Sequence, residues 1–208
     1  MKMRWRESAR TVGFMGLLTL ILISSVAALH LATAERVQRN AQLDLRRAVL
    51  EAAGLAPPEA PAEVHALFQQ IVTAVSTAPD GAPDRFLVRA PDGGGDGVLV
   101  FKRSGRGLWG LIDAVVAYRP ATGVFGQLRL LAHNETPGLG ARIEEPWFQR
   151  QTEGKTGPFV LQPEGSHSTA PTEIDAITGA TITSSAVRDM LNAVARDARQ
   201  SKEPPTHE

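Results

Sequence analysis

The chain has 208 residues, a formal net charge of zero and no cysteine. The absence of cysteine excludes disulfides, thiolate nucleophiles and cysteine-ligated metal centres, and the neutral charge gives no electrostatic reason to expect nucleic acid as a partner. A hydrophobic share of 43% is enough for a sizeable core, and the five histidines show no metal-ligand spacing, so no metal site is expected.

The amino-terminal stretch predicts a membrane anchor. Residues 11–34 contain no Asp, Glu, Lys or Arg, and a helix needs about 20 apolar residues to cross a bilayer. A cleaved signal peptide is the alternative, because residues 32–34 resemble a cleavage site, but the apolar run is longer than a usual signal core. The basic residues within 1–10 favour a cytoplasmic tail and an extracytoplasmic body formed by residues 35–208, although further arginines follow the span.

Two helical segments are predicted between the anchor and the first strand. Glu35–Ala53 has apolar residues at helical spacing and is followed by Gly54, a typical C-terminal stop. The second helix has a stripe at i, i+3, i+4, i+7, i+8 and i+11 that should face the core. The stripe consists of Val64, Leu67, Phe68, Ile71, Val72 and Val75.

Two β-hairpins are predicted next. Residues 86–88 and 98–101 are short β-prone runs joined by a glycine-rich loop at 91–97, which lacks the features of a nucleotide-binding loop. Residues 111–118 and 124–131 are a second pair of strands joined by a turn. With the helices, these strands predict an α+β fold, a mainly antiparallel sheet flanked by helices.

Two irregular segments accompany the second hairpin. Before it lies the corner Gly107-Leu108-Trp109, where Trp109 is interpreted as a core residue, with packing against a flat cofactor ring as the alternative. After it comes His133-Asn134-Glu135-Thr136-Pro137-Gly138-Leu139-Gly140, a loop whose glycines and proline bring backbone close to a neighbour. Residues 143–151, with Pro146, predict a short helix, and residues 162–172 read as a polar loop.

Residues 175–185 read Asp-Ala-Ile-Thr-Gly-Ala-Thr-Ile-Thr-Ser-Ser and lead into an amphipathic helix. The buried face of that helix is predicted at i, i+3, i+4 and i+7, which are Val187, Met190, Leu191 and Val194. A helix N-terminus suits a phosphate, and Gly179 and Ala180 would let a ligand approach the main chain. An ordinary capped helix is the alternative that these features leave open.

Three strings, taken together with a single amino-terminal span, carry a resemblance to a known family. They are Gly107-Leu108-Trp109, Glu135-Thr136-Pro137-Gly138-Leu139-Gly140 and Asp175-x-x-Thr178-Gly179-Ala180-Thr181. The chain resembles the FMN-binding C subunit of the Na+-translocating NADH:quinone oxidoreductase, and the G subunit of the Rnf electron-transport complex is similar. The third string looks like the recognition sequence of the flavin transferase that esterifies FMN to a threonine.

The resemblance implies a site and a function. Thr181 would carry FMN through its phosphate, Asp175 and Thr178 would belong to the recognition element, and Gly179 and Ala180 would lie beside the phosphate. The expected ring-lining positions are Leu108, Trp109, Glu135, Thr136, Leu139 and Gly140. The implied protein is an electron-carrying flavoprotein of the bacterial inner membrane, with an FMN domain on the periplasmic side whose core is residues 85–198. Its expected partners are the other subunits of the reductase and a flavin transferase.

Two other functions remain open at the level of sequence. A module that binds FMN or another phosphate ligand reversibly would use the same helix N-terminus. A hydrolase would pair one of the hydroxyls with His133 or His167, and His133 lies near Glu135 in sequence. We do not expect catalysis by these residues, because proximity in sequence is no proof of contact.

Overall fold

The computed structural model describes residues 2–78, 81–90 and 97–200. Residues 91–96 of the glycine-rich loop and residues 201–208 of the expected body lie outside the described residues. The helices and strands are, in chain order, α1 (Lys2–Ala52), α2 (Pro61–Ile71), β1 (Val72–Thr77), β2 (Pro83–Val88), β3 (Val98–Arg106), β4 (Leu111–Arg119), β5 (Val124–Ala132), a 3₁₀ turn (Gly140–Glu144), α3 (Pro146–Arg150), β6 (Val160–Gln162), β7 (Glu173–Asp175) and α4 (Thr181–Gln200).

The chain divides into two compact units, Met1–Gln42 and Leu43–Glu208. The described part of the first unit is helix throughout. Within the residues that the structure describes, α1 is the one helix long and apolar enough to cross a membrane, and its most apolar window is fully exposed. The predicted anchor and the predicted helix after it are therefore one continuous helix.

Helix α1 ends where the sequence predicts. Gly54 has a φ of +90°, a left-handed conformation that suits glycine. The N–H of Leu55 donates to the carbonyl of Leu50 at 3.0 Å, which satisfies one of the carbonyls left free at the helix end.

The second unit is built on a five-stranded antiparallel sheet with the strands in sequence order, β1-β2-β3-β4-β5. Both predicted hairpins are confirmed. The β2–β3 register pairs Phe86 with Val100, and the β4–β5 turn contains Gly123 at a φ of +75°. The α+β prediction is confirmed.

Both faces of the sheet are covered, and successive residues of β4 show this most clearly. Ile112, Ala114, Val116 and Tyr118 face one core with α4, and the alternate Val115 and Ala117 face the other. The first core also contains the predicted stripe of α4, since Val187, Met190, Leu191 and Val194 are all buried. The second core contains the end of α1 and the buried residues of α2.

The predicted second helix is too long. Helix α2 ends at Ile71, and at Val72 the backbone turns extended, with φ −112° and ψ 128°. Val72 then pairs with Val88, while Val75 lies in β1 and is 47% exposed. The valines and threonines of residues 72–77 prefer an extended backbone, and pairing with β2 satisfies their backbone groups, so the strand replaces the last turns of the helix.

The segment between α3 and α4 holds a small element that the sequence does not reveal. Strands β6 and β7 pair in parallel over three residues each, with Leu161 opposite Ile174. The predicted polar loop is thus a connection of residues 163–172 that leaves β6 and returns to β7. This pairing fixes the position of Asp175, the last residue of β7.

Candidate functional site

The corner before β4 is a tight turn whose side chains point to solvent. The N–H of Gly107 donates to the carbonyl of Gly110 at 2.8 Å, which closes the β3–β4 hairpin. Leu108 and Trp109 stand at its tip and are 55% and 65% exposed. The interpretation of Trp109 as a core residue is therefore wrong, because a two-residue hairpin tip projects beyond the layers that bury the sheet.

Glu135 joins three separate segments of the chain. Its side chain is buried, and Oε1 accepts a hydrogen bond from the N–H of Trp109 at 3.1 Å. Oε2 accepts one from the Thr183 hydroxyl at 2.5 Å. The β3–β4 turn, the loop of residues 133–140 and the first turn of α4 therefore meet at one carboxylate.

Gly140 makes this meeting point possible. A Cβ at Gly140 would lie 2.6 Å from Glu135 Oε2 and 2.8 Å from Thr183 Oγ1, distances that a real side chain cannot adopt. Leu139, the residue before it, is 46% exposed, and its Cδ2 lies 3.2 Å from the place that a Cβ of Gly179 would take. The loop and the turn before α4 are thus in contact as well.

Asp175 is buried and holds the 163–172 connection. Its carboxylate accepts hydrogen bonds from the N–H of Gly165 at 3.0 Å, from the N–H of His167 at 3.3 Å and from the hydroxyl of Ser166. Its backbone N–H donates to Gln151 Oε1 at 2.7 Å. Asp175 therefore holds the 163–172 connection in place through its carboxylate.

The turn between β7 and α4 presents Thr178 and Gly179 to solvent. The N–H of Thr178 donates to Glu164 Oε2 at 2.7 Å. Gly179 has a φ of +78°, and the N–H of Ala180 donates to the carbonyl of Ile177 at 3.0 Å. Glycine is required here because the turn needs a left-handed residue next to a neighbouring side chain.

The hydroxyls near the start of α4 differ in their partners. Thr183 and Ser184 are buried, and both donate hydrogen bonds, Thr183 to Glu135 and Ser184 to the carbonyl of Ala180 at 3.0 Å. Thr178 hydrogen bonds Glu164. Thr181, the first residue of α4, is exposed, and its hydroxyl makes no hydrogen bond within the described part of the chain.

The first turn of α4 also has free backbone donors. The N–H of Ser184 donates to the carbonyl of Ala180 at 2.9 Å, which begins the helical pattern. The N–H groups of Thr181, Ile182 and Thr183 have no partner among residues 2–78, 81–90 and 97–200. Free N–H groups and the positive end of the helix dipole favour an anion at this place.

Apolar side chains are exposed on the segments that meet around Thr181. Leu108, Trp109 and Leu139 are exposed, and so is Ile182, the residue after Thr181, at 54%. Large exposed apolar patches often mark binding sites, so these four side chains are candidates for contact with a ligand. Ile182 is a candidate that the sequence reading missed, because its exposure depends on which face of α4 packs on the sheet.

A phosphate with a flat apolar ring fits this arrangement. The free N–H groups at the start of α4 suit the phosphate, and the exposed side chains of Leu108, Trp109, Leu139 and Ile182 suit a ring. Of the predicted ring-lining residues, Thr136 is exposed, whereas Glu135 and Gly140 are buried. Their observed contacts are with the protein.

The histidines of the hydrolase alternative do not contact a hydroxyl in the described residues. His133 Nε2 lies 2.9 Å from Glu144 Oε1, and His133 Nδ1 accepts the backbone N–H of Glu135 at 3.1 Å. His167 is exposed, with a φ of +48°. The geometry therefore gives no support to a nucleophile and base pair.

An open cleft of about 590 Å³ lies beside Asp175, on the side of the 163–172 connection. The residues that line it are Trp147, Arg150, Gln151, Glu153, Lys155, Glu164, Gly165, His167, Ser168 and Asp175. Glu164 of this cleft forms an ion pair with Arg142, whose Nη2 lies 2.7 Å from Glu164 Oε1. Hydrogen bonds from Arg142 and from Thr178 lower the pKa of Glu164 to about 2.

The fold and the joined segments define a known class of domain. Residues 107–196 match the family model described as FMN-binding domain, a range that runs from the β3–β4 turn into α4. It includes Glu135, Thr181 and all three segments that meet there. The chain therefore contains an FMN-binding domain.

The whole-chain relatives define the family more closely. The G subunit of the ion-translocating oxidoreductase complex of Methanosarcina acetivorans is 32% identical over 182 residues, which cover 85% of this chain and 89% of that protein. The C subunit of the Na(+)-translocating NADH-quinone reductase of Yersinia pestis is 32% identical over 114 residues, 51% of this chain and 42% of that protein. The chain belongs to the family of FMN-binding subunits that includes these two relatives.

Solved structures show the same fold. The crystal structure of NqrC from Shewanella oneidensis has a TM-score of 0.62 at 22% identity and covers 74% of this chain and 90% of that chain. The corresponding protein of the Na(+)-translocating NADH-quinone reductase from Parabacteroides distasonis gives a TM-score of 0.63 at 20% identity, over 80% and 96% of the two chains. With the candidate span in α1, the family relationship supports a membrane-anchored protein.

Proposed function

We propose that this chain is a membrane-anchored flavoprotein subunit that carries FMN covalently, through the FMN phosphate, on Thr181. The observation that carries the proposal is the difference between Thr181 and its neighbours. Thr181 is exposed, and its hydroxyl is without a partner in the described residues, whereas the hydroxyls of Thr183 and Ser184 are buried and hydrogen-bonded. Thr181 is thus the residue of this turn whose hydroxyl can be modified without breaking a contact.

The start of α4 supports attachment through a phosphate. A phosphodiester on Thr181 keeps one negative charge, which would lie at the positive end of the helix beside the free N–H groups of Ile182 and Thr183. Gly179 has no side chain to obstruct the phosphate. Thr178 and Ala180 complete the turn, with Thr178 hydrogen-bonded to Glu164 and Ala180 buried.

The exposed apolar residues support a place for the ring. Leu108, Trp109, Leu139 and Ile182 would contact the isoalloxazine, and Thr136 would lie at its edge. Glu135 and Gly140 would act from beneath, by holding the turn, the loop and α4 together. When bound, FMN supplies the redox chemistry, and the chain binds the cofactor and sets its surroundings.

The proposed role is to relay electrons within a multi-subunit NADH:quinone oxidoreductase coupled to sodium transport. Its partners would be the other membrane subunits of that complex and, during maturation, a flavin transferase. This chain has one candidate span among its described residues, and one helix alone does not form an ion pathway, so we assign coupling to the partner subunits. We place the FMN domain on the periplasmic face of the bacterial inner membrane.

A second candidate role is that of the G subunit in an Rnf-type ion-translocating complex. The observation that favours it is length, since the match with the relative from Methanosarcina acetivorans spans 89% of that protein. Purification of the tagged chain from its own membranes separates the two roles. Recovery of a ferredoxin-dependent complex would support the second, and recovery of an NADH:quinone reductase would support the first.

The test of covalent attachment uses fluorescence in a denaturing gel. The full chain is co-expressed with a flavin transferase, and the boiled protein is viewed under ultraviolet light. We expect a fluorescent band for the wild type and for Ser185→Ala, which changes a hydroxyl one helical turn away, and none for Thr181→Ala. A band that persists in Thr181→Ala contradicts the proposal, and flavin that washes out on denaturation indicates reversible binding.

A further inference from the structure

The turn that presents Thr181 is held by a carboxylate outside the three recognised strings. Glu164 belongs to the 163–172 connection, and its Oε2 accepts the N–H of Thr178 at 2.7 Å. Thr178 directly precedes Gly179, whose left-handed conformation directs the chain into α4. Fixing the Thr178 N–H therefore fixes the direction in which Gly179, Ala180 and Thr181 leave β7.

Arg142 holds Glu164 in this position. Its Nη2 donates to Glu164 Oε1 at 2.7 Å and its Nη1 donates to Glu164 Oε2 at 3.2 Å, a two-point contact. The Arg142 Nε also donates to Glu145 Oε1 at 3.1 Å, so the guanidinium is fixed on two sides. Arg142 lies in the 3₁₀ turn that begins at Gly140. Its contact with Glu164 therefore connects the loop of residues 133–140 to the turn of residues 176–180, called the acceptor turn below because it presents Thr181.

Asp175 holds the residues next to Glu164. Its buried carboxylate accepts hydrogen bonds from Gly165, Ser166 and His167, the three residues that follow Glu164. Because the Asp175 carboxylate is occupied by these donors and the residue is 8% exposed, a docking protein has little access to it. Its effect on the acceptor turn would pass through the connection and through Glu164.

We propose that Glu164 is a positioning residue for the flavin acceptor Thr181, and that Arg142 and Asp175 act by fixing Glu164. This inference rests on the proposed function. The donor in the transfer is a phosphoanhydride of FMN, such as flavin adenine dinucleotide. The Thr181 oxygen forms a bond to the flavin-side phosphorus, the anhydride P–O bond breaks, adenosine monophosphate leaves, and the hydroxyl proton passes to a base of the transferase or to water. The contribution of Glu164 is a turn already ordered for this attack.

The position of Glu164 allows its role to be separated from general stability. Its side chain is 25% exposed, it belongs to neither hydrophobic core, and its contacts are with Arg142 and Thr178. Glu153 provides a matched control, because it lines the same cleft and, among the described residues, its side chain accepts one exposed hydrogen bond, from Gln127 at 3.4 Å. We expect truncation of Glu153 to leave the acceptor turn unchanged.

The experiment measures initial rates of flavin transfer to the purified full chain in detergent micelles, with a flavin transferase and flavin adenine dinucleotide. We expect Glu164→Ala to lower kcat/KM by about ten-fold or more, because a displaced acceptor loses its alignment. Glu164→Gln keeps an oxygen that can accept the Thr178 N–H, and we expect at least partial rescue. Asp175→Asn should slow the reaction in the same sense, and Glu153→Ala should react as the wild type does.

Amide hydrogen exchange provides a readout that general destabilisation would not imitate. In Glu164→Ala we expect faster exchange at the hydrogen-bonded N–H groups of Thr178 and Ala180, with unchanged protection in β3, β4 and β5. A slow Glu164→Ala variant that also loses protection throughout the sheet would overturn the positioning role, and so would a variant that reacts at the wild-type rate. In both cases the proposed function stands, whereas a wild-type chain that accepts no flavin, or Thr181→Ala that accepts it, refutes the function itself.

Discussion

The pKa of Glu164 is low because of its contacts in the fold, so titration of its carboxyl group reports on those contacts. Hydrogen bonds from Arg142 and then from Thr178 lower its pKa from an ordinary 4.5 to about 2. A carboxyl group whose pKa is lower in the folded state than in the unfolded state stabilises the fold. This contribution is fully present at pH values above the unfolded-state pKa. That contribution is lost as the pH falls from about 4.5 towards 2.

We therefore predict that the Glu164 carboxyl carbon, followed by NMR in the folded protein, titrates with a midpoint near 2. Arg142→Ala should move this midpoint up towards 4.5, because it removes the largest cause of the shift. Replacement of the exposed Arg150, which lines the same cleft, serves as the control and should leave the midpoint in place. A wild-type midpoint near the ordinary 4.5 would contradict the observed pairing of Glu164.

At the same scale, the sequence identified Thr181 as a candidate only through a resemblance. Thr181 differs from Thr183 and Ser184 in its exposure and in its side-chain hydrogen bonds, and both depend on how α4 packs on the sheet. The resemblance predicts that Glu135 lines a ring, and the structure adds that its carboxylate contacts Trp109 and Thr183, which are 26 and 48 positions away. Contacts at such separations leave no periodic signal in one sequence.

At the level of structural elements, the packing of the loop of residues 133–140 against α4 depends on Gly140. We predict that Gly140→Ala destabilises the domain by about 1–3 kcal/mol, because the new methyl group would overlap Glu135 Oε2 and the Thr183 hydroxyl. The free energy of unfolding is measured by urea titration of the full chain. Gly110→Ala is the control, since its Cβ would be 3.3 Å from the exposed Asn134 side chain, which can move. Equal stability of the two variants would contradict the close packing at Gly140.

Elements with strong local patterns were predicted well, and those set by distant pairing were not. The stripe of α4, both hairpins and the end of α1 at Gly54 follow from periodicity and turn residues that the sequence displays. The apolar spacing of α2 continues through Val75 in the sequence, yet pairing with β2 makes residues 72–77 a strand. The parallel β6–β7 pair is three residues long, too short for a pattern, and it is fixed by packing alone.

For the whole molecule, the central question is on which side of the membrane the FMN domain lies. Basic residues in the first ten positions favour a cytoplasmic amino terminus and hence an exported domain. We predict that alkaline phosphatase fused to the carboxyl terminus is active, because it folds outside the cytoplasm, and that a fused green fluorescent protein exported in unfolded form is dark. Both fusions should remain in the membrane fraction after alkaline extraction. A bright fluorescent fusion with inactive phosphatase would place the domain in the cytoplasm.

Covalent attachment of FMN to Thr181 is the claim on which the site, the positioning role of Glu164 and the proposed electron relay all depend. The most direct measurement is mass spectrometry of the full chain isolated from cells that contain a flavin transferase, followed by fragmentation of the peptide spanning residues 175–188. We predict an added mass of one FMN less one water on the intact chain, located on Thr181 in the fragment series. An unmodified chain, or an adduct on Thr178, Thr183, Ser184 or Ser185, would contradict it.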